Sequence, residues 1–177
     1  ERATSVGIHA KGNVIFMRNI EVVGGFNKGI FLEGTSVGNI IGFNVSGSSM
    51  NDTLYEGIVV VNGRQIRLSD GWIEQLDLGY GNGEAPAIKV DASHNLTIEN
   101  INVAAGSIYL TGTTQVLVNN IYFGNYMGGF KVGKGTTVSL GNISHSNKYP
   151  YGYWSSGQWS RGRINVIDRG IGSPGRG

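Results

Sequence analysis

Apolar positions along this chain recur in short runs of period two rather than at helical spacing, which predicts strands. Six segments open with a small residue and continue apolar, any residue, apolar. They are Gly7-Ile8-His9-Ala10, Gly29-Ile30-Phe31-Leu32, Gly57-Ile58-Val59-Val60, Ala87-Ile88-Lys89-Val90, Ser107-Ile108-Tyr109-Leu110 and Gly129-Phe130-Lys131-Val132. Their starts at 7, 29, 57, 87, 107 and 129 differ by 22, 28, 30, 20 and 22 residues. A repeat of one supersecondary unit at this size is the mark of a solenoid. Alternation places Ile8, Ile30, Ile58, Ile88, Ile108 and Phe130 on one face with Ala10, Leu32, Val60, Val90, Leu110 and Val132, as two core columns.

A second strand follows in each coil, as in Asn95 to Ile101. Its frame runs from Ile15 to Asn19, Ile40 to Asn44, Ile66 to Asp70, Leu96 to Asn100, Val116 to Asn120 and Val138 to Asn142. This predicts one inward column of amides, interrupted by Asp70. Amides carry both donor and acceptor, so at a strand spacing of roughly 4.8 Å each can bond the next. Ile20, Val45, Ile101, Ile121 and Ile143 come next and predict a return to the core on a third strand.

The small-apolar repeat, the irregular coil lengths and the Asn column resemble the pectate-lyase-like superfamily of right-handed β-helices, over about Gly7 to Ile143. The resemblance implies an all-β chain: a right-handed, single-stranded parallel β-helix of about six coils with an Asn ladder, in residues 1–143. Residues 144–177 are expected to form an irregular C-terminal cap or tail, where Tyr149, Tyr151, Tyr153, Trp154 and Trp159 cover the end of the coil or plug a subunit contact. The superfamily holds polysaccharide lyases, hydrolases, epimerases, adhesins and phage tailspikes, and the fold chooses none of them. Its lyases carry clustered calcium-binding aspartates and its polygalacturonases a paired-Asp motif; this sequence has neither an aspartate run nor an Asp-Asp pair.

Composition narrows the classes further. Fourteen basic residues against 12 acidic ones imply no polyanionic partner such as nucleic acid. Arg161, Arg163, Arg169 and Arg176 concentrate the excess in the tail. Thirty glycines ask for many tight turns. The absence of cysteine removes disulfides and thiolate metal sites, and no apolar run is long enough to span a bilayer. No metal or other cofactor is expected. A chain opening on Glu1 is expected to be a domain of a longer protein.

Candidate chemistry falls in three places. Two expanded coils predict neighbouring loops at Ser46 to Glu56 and Trp72 to Pro86, which hold Asp52, Glu56, Glu74, Asp77 and Glu84 with Tyr55, Trp72 and Tyr80. Aromatic faces beside carboxylates suit a sugar, and two solvated loops are the plainer alternative. On the outward side of the first strands, Glu33 and Asp91 fall two coils apart in one column, roughly 9–10 Å at the strand spacing. Inverting glycosidases hold their carboxylates about 6.5–9.5 Å apart. Phe31, Val59 and Tyr109 lie beside them and predict an exposed apolar strip that needs a ligand, a covering loop or a neighbouring subunit, with Lys89 in the same column beside Asp91. Asp70 is the third place, either a tuned acid among amides or a replacement at a bulge, because Gly71 follows it.

The candidate catalytic residues are thus Glu33, Asp91, Asp70, Glu74 and Asp77, and the candidate substrate-binding residues Phe31, Tyr55, Trp72, Tyr80, Tyr109 and Lys89. The expected function is a carbohydrate-directed domain of a phage tailspike or tail appendage, on a virion or outside the cell. Such a domain is expected as a homotrimer, binding and depolymerising a host-surface polysaccharide as a hydrolase or lyase. The alternative is a non-catalytic structural or adhesive stalk.

Overall fold

The computed structural model describes residues 5–47, 55–74, 86–104, 106–124, 129–133, 135–145 and 163–166. Six short strands, β1 (Val6–Lys11), β3 (Lys28–Glu33), β5 (Glu56–Val61), β7 (Pro86–Asp91), β9 (Ser107–Thr111) and β11 (Phe130–Val132), form one sheet in that order. Longer strands, β2 (Val14–Val23), β4 (Val37–Ser46), β6 (Arg64–Glu74), β8 (His94–Val103), β10 (Thr114–Phe123) and β12 (Thr137–His145), form the second. All pairings are parallel, and each sheet takes alternate strands of the chain. The chain is therefore an all-β parallel helix of six coils. In the tail, β13 (Arg163–Val166) adds one further parallel strand beside β12; Tyr149, Tyr151, Tyr153, Trp154 and Trp159 lie outside the described residues.

Both core columns form as the alternation predicts, with Ile8, Ile30, Ile58, Ile88, Ile108 and Phe130 in register. From the second coil onward they are buried. The small residue ahead of each column has a steric cause. Gly57 faces inward over Ile73, and a β-carbon there would lie 2.3 Å from the Ala87 carbonyl oxygen; one on Gly7 would lie 2.7 Å from the Gly29 oxygen. Ala87 is accommodated because the fifth coil has no residue opposite it: Pro86 pairs with Ser107 and Ile88 with Ile108.

Each long strand bends midway at a residue in the left-handed region, Asn19 (φ 52°), Gly42 (66°), Asp70 (58°), Asn100 (54°), Asn120 (53°) and Asn142 (54°), and β6, β8 and β10 hold a second such residue near their start, at Gln65, Asn95 and Gln115. Asn, Asp and Gly are the residues that visit this region at least cost, so the column is conformational before it is hydrogen-bonded. Three expectations are corrected here. The second-coil member is Gly42, not Asn44, because Gly38 pairs with both Ile15 and Ile66 and the frame begins there, two residues earlier than Ile40. The side chains of Asn19, Asp70, Asn100, Asn120 and Asn142 are exposed, not inward. The expected third strand is the distal limb of the same long strand, beyond the bend, where Ile20, Phe43, Gly71, Ile101, Ile121 and Ile143 share one register.

If backbone conformation governs the column, Asn120→Gly unfolds within a few tenths of a kcal/mol of wild type, whereas Asn120→Ala costs roughly 1–2 kcal/mol in urea titrations. Equal losses for both would assign the column to its side-chain hydrogen bonds instead.

Candidate functional site

The interior carries its own polar column, at the turn between the two strands of four of the coils. Thr35, Ser93, Thr113 and Thr136 are buried there. Ser93 Oγ accepts from the Gly63 amide at 2.9 Å and donates to the Asp91 carbonyl at 2.7 Å. Thr113 and Thr136 bond carbonyls in the same way. Three buried hydroxyls, on Ser93, Thr113 and Thr136, therefore take the inward polar role expected of the asparagines, while Thr35 Oγ1 is buried without a partner.

On the outer face of the first sheet the register places Glu33, Val61 and Asp91 in one column, as their spacing predicts. Its apolar strip is not exposed: Val59 is 2% accessible and Phe31 and Tyr109 are half-buried. Neighbouring side chains close it. His9 stacks on Phe31 at 4.7 Å, Lys28 Nζ sits 5.5 Å from the same ring, and Lys131 Nζ sits 4.6 Å over Tyr109. Glu56 bridges Lys89 at 2.8 Å and Lys28 at 3.7 Å, tying coils two, three and four together. Glu33 lies 3.2 Å from His9 Nε2 and 3.5 Å from Lys11 Nζ. Lys89 and Glu33 are thus engaged within the face, while Asp91 makes no ion pair with a described residue.

The bend column lies on a different side. Asn100 Nδ2 donates to Asp70 Oδ1 at 2.9 Å, and Asn120 Nδ2 to Asn100 Oδ1 at 2.8 Å. An acceptor-only carboxylate suits this end of the run, since Gly42 beneath it offers no side chain. Asp70 is exposed, so the buried acid expected among amides is not found. Nor is there a bulge: Phe43, Gly71 and Ile101 remain in unbroken register. Gly71 is glycine because the Phe43 ring fills its place, lying within 2.5 Å of where a β-carbon would stand.

Two residues beyond each bend the distal limb carries an outward column of Glu21, Asn44, Trp72, Asn102, Tyr122 and Ser144. Trp72 is 42% accessible and Tyr122 40%. Two coils separate them, roughly 9–10 Å at the strand spacing. Asn102 stands between, and both amides adjoining Trp72, Asn44 and Asn102, hold Oδ1 without a hydrogen-bond partner. The next outward positions are Glu74 beside Trp72, and the small residues Ala104 and Gly124 in the two coils that follow. Trp72, Ile73 and Glu74 belong to β6, and Ser46 and Glu56 to β4 and β5, so the expanded segments are shorter than expected. Tyr55 immediately precedes β5, whereas Asp52, Asp77, Tyr80 and Glu84 lie outside the described residues.

Sequence reasoning reached Trp72 but missed Tyr122 and Asn102. Alignment of the coils on the bend residue, rather than on the first strand, brings 72, 102 and 122 to one offset. Among the described residues no three His, Cys, Asp or Glu side chains converge, and no helix is long and apolar enough to cross a membrane. Comparison with protein-family models, with curated proteins and with solved structures found no match for the chain.

Proposed function

We propose that this chain is a carbohydrate-binding β-helix, similar to the pectate-lyase-like tailspike and appendage domains, that attaches a virion or extracellular assembly to a surface polysaccharide. The observation that carries this reading is the pair of uncovered rings, Trp72 and Tyr122, aligned on a rigid strand face beside an exposed run of amides. Aromatic faces stack on the apolar side of a pyranose, and amides exchange hydrogen bonds with its hydroxyls. A site built on strands holds its groups in fixed relation, which limits the ordering cost of binding.

The test is retention on a panel of immobilised bacterial capsular and wall polysaccharides. The intact protein is expected to be held by at least one member, and Trp72→Ala to weaken that retention at least tenfold while unfolding in urea as wild type does. A protein retained by no member would remove the carbohydrate reading and leave the stalk.

A second reading, cleavage, rests on Glu33 and Asp91 sharing one column at roughly the separation of an inverting pair. It predicts new reducing ends from a bound polysaccharide, lost in both Glu33→Gln and Asp91→Asn. An absorbing unsaturated uronate product would point to a lyase in place of a hydrolase.

A further inference from the structure

Charge is distributed unevenly around the coil. From each bend residue to the threshold of the next coil's first strand, residues 19–27, 42–55, 70–85, 100–107 and 120–129 contain no Lys or Arg. The described residues of the same stretches hold the acids Glu21, Asp70 and Glu74. The described lysines and arginines of the helix, Lys11, Arg18, Lys28, Arg64, Arg67, Lys89 and Lys131, instead lie on the first strands and on the limb before the bend. Among the described residues this side therefore carries Glu21, Asp70 and Glu74 and no Lys or Arg, and it is the side on which Trp72 and Tyr122 are exposed.

We infer that the ligand of this side is an uncharged polysaccharide laid along the helix axis, one sugar unit per coil, with Trp72 and Tyr122 stacking units that are two apart. The inference rests on the carbohydrate reading above and specifies its substrate. Three observations support it. The rings are stacked along the axis in strict register, Trp72 to Asn102 to Tyr122, so a chain crossing the coils at right angles would meet only one of them. The strand spacing of about 4.8 Å is close to the length of one hexopyranose unit. The unit between the rings then stands over Asn102, whose Oδ1 is buried without a donor, so that rotation of the amide to the surface would let a sugar hydroxyl donate to it. An acceptor left unpaired costs about 1–3 kcal/mol, so its satisfaction favours the bound state.

The acidic side excludes polyuronates and sialylated chains by like-charge repulsion, which discriminates between partners more strongly than it sets affinity. An uncharged chain pays no such penalty, and its binding is insensitive to salt.

The experiment uses the full chain and any polysaccharide that retains it. Neutral and uronate-bearing or sialylated polymers are compared at low and high sodium chloride, and defined fragments of the best-retained polymer, two to six units long, are titrated by calorimetry. Neutral polymers are expected to be preferred, with less than a twofold change on raising salt. Affinity should rise at least tenfold from two units to three, because only three units reach both rings. Tyr122→Ala should abolish that step while sparing the weak binding of two units. Preference for an anionic polymer, salt-sensitive retention by a cationic amino-sugar polymer, or a wild-type length dependence in Tyr122→Ala would each overturn the inference while leaving carbohydrate binding intact. Absence of any retained polysaccharide would overturn both.

Discussion

Gly71→Ile, introduced alone, is expected to unfold the β-helix at far lower urea than wild type, with a loss of at least about 3 kcal/mol, the upper end of what overpacking costs. Three atoms of the Phe43 ring lie 2.1, 2.2 and 2.5 Å from where the new β-carbon would stand. The ring is 4% accessible and packed within the core, so it has no solvent-side rotamer to adopt. Phe43→Ile alone leaves a void over Gly71 and costs roughly 2–4 kcal/mol by the lost transfer and cavity terms. Together, Phe43→Ile and Gly71→Ile convert the column to the isoleucine run already present at Ile20, Ile101, Ile121 and Ile143. The double variant should recover much of the loss caused by Gly71→Ile alone, because the smaller side chain at 43 vacates the space over 71. The coupling energy of this cycle is its readout. Additive losses would mean that Phe43 and Gly71 do not share one space.

Gly57→Ala is the second large effect, and its cause is backbone rather than side chain. The added methyl would stand 2.3 Å from the Ala87 carbonyl oxygen and 2.9 Å from Ile73 Cγ2. A carbonyl in a parallel ladder cannot move without releasing its hydrogen bonds, so a loss of at least about 3 kcal/mol is expected. Ala87 occupies the same column without penalty because the fifth coil omits the opposing residue. Ala87→Gly should therefore cost only about 0.5–1 kcal/mol, the entropic cost of glycine in a strand. Similar losses at both positions would contradict this account of the repeat's opening residue.

These positions also mark how far the sequence could be read. Period-two alternation identified both core columns because each coil repeats it with few substitutions, from Ile8 to Phe130. The bend column was found as a set of asparagines, yet its direction was not legible: an Asn in the left-handed region and an Asn in a buried ladder give the same letter. The second coil was misframed because its bend residue is Gly42, which meets the same conformational need without an amide, while Asn44 nearby offered a false match. Glycine at 71 read as a bulge, since its compensating partner Phe43 lies 28 residues earlier and only the stacked register brings them together.

The functional face was half legible for a related reason. Trp72 drew attention by chemistry, but it was assigned to a loop because the expanded coil obscured the end of β6. Tyr122 and Asn102 lie in coils of ordinary length, and only the common offset from the bend joins them to Trp72. The acid pair Glu33 and Asp91 was placed correctly by spacing. That Glu33 is engaged by His9 and Lys11, and Lys89 by Glu56, depends on side-chain reach across coils, which periodicity does not encode.

The central claim is that the acidic distal face, with Trp72 and Tyr122 at its centre, holds a sugar chain. A crystal structure of the protein with a three- or four-unit fragment of a retained polysaccharide tests it most directly. The account predicts pyranose rings against Trp72 and Tyr122 with one unit over Asn102, the chain running along the helix axis; a fragment seated instead across Glu33 and Asp91 on the first sheet would contradict it.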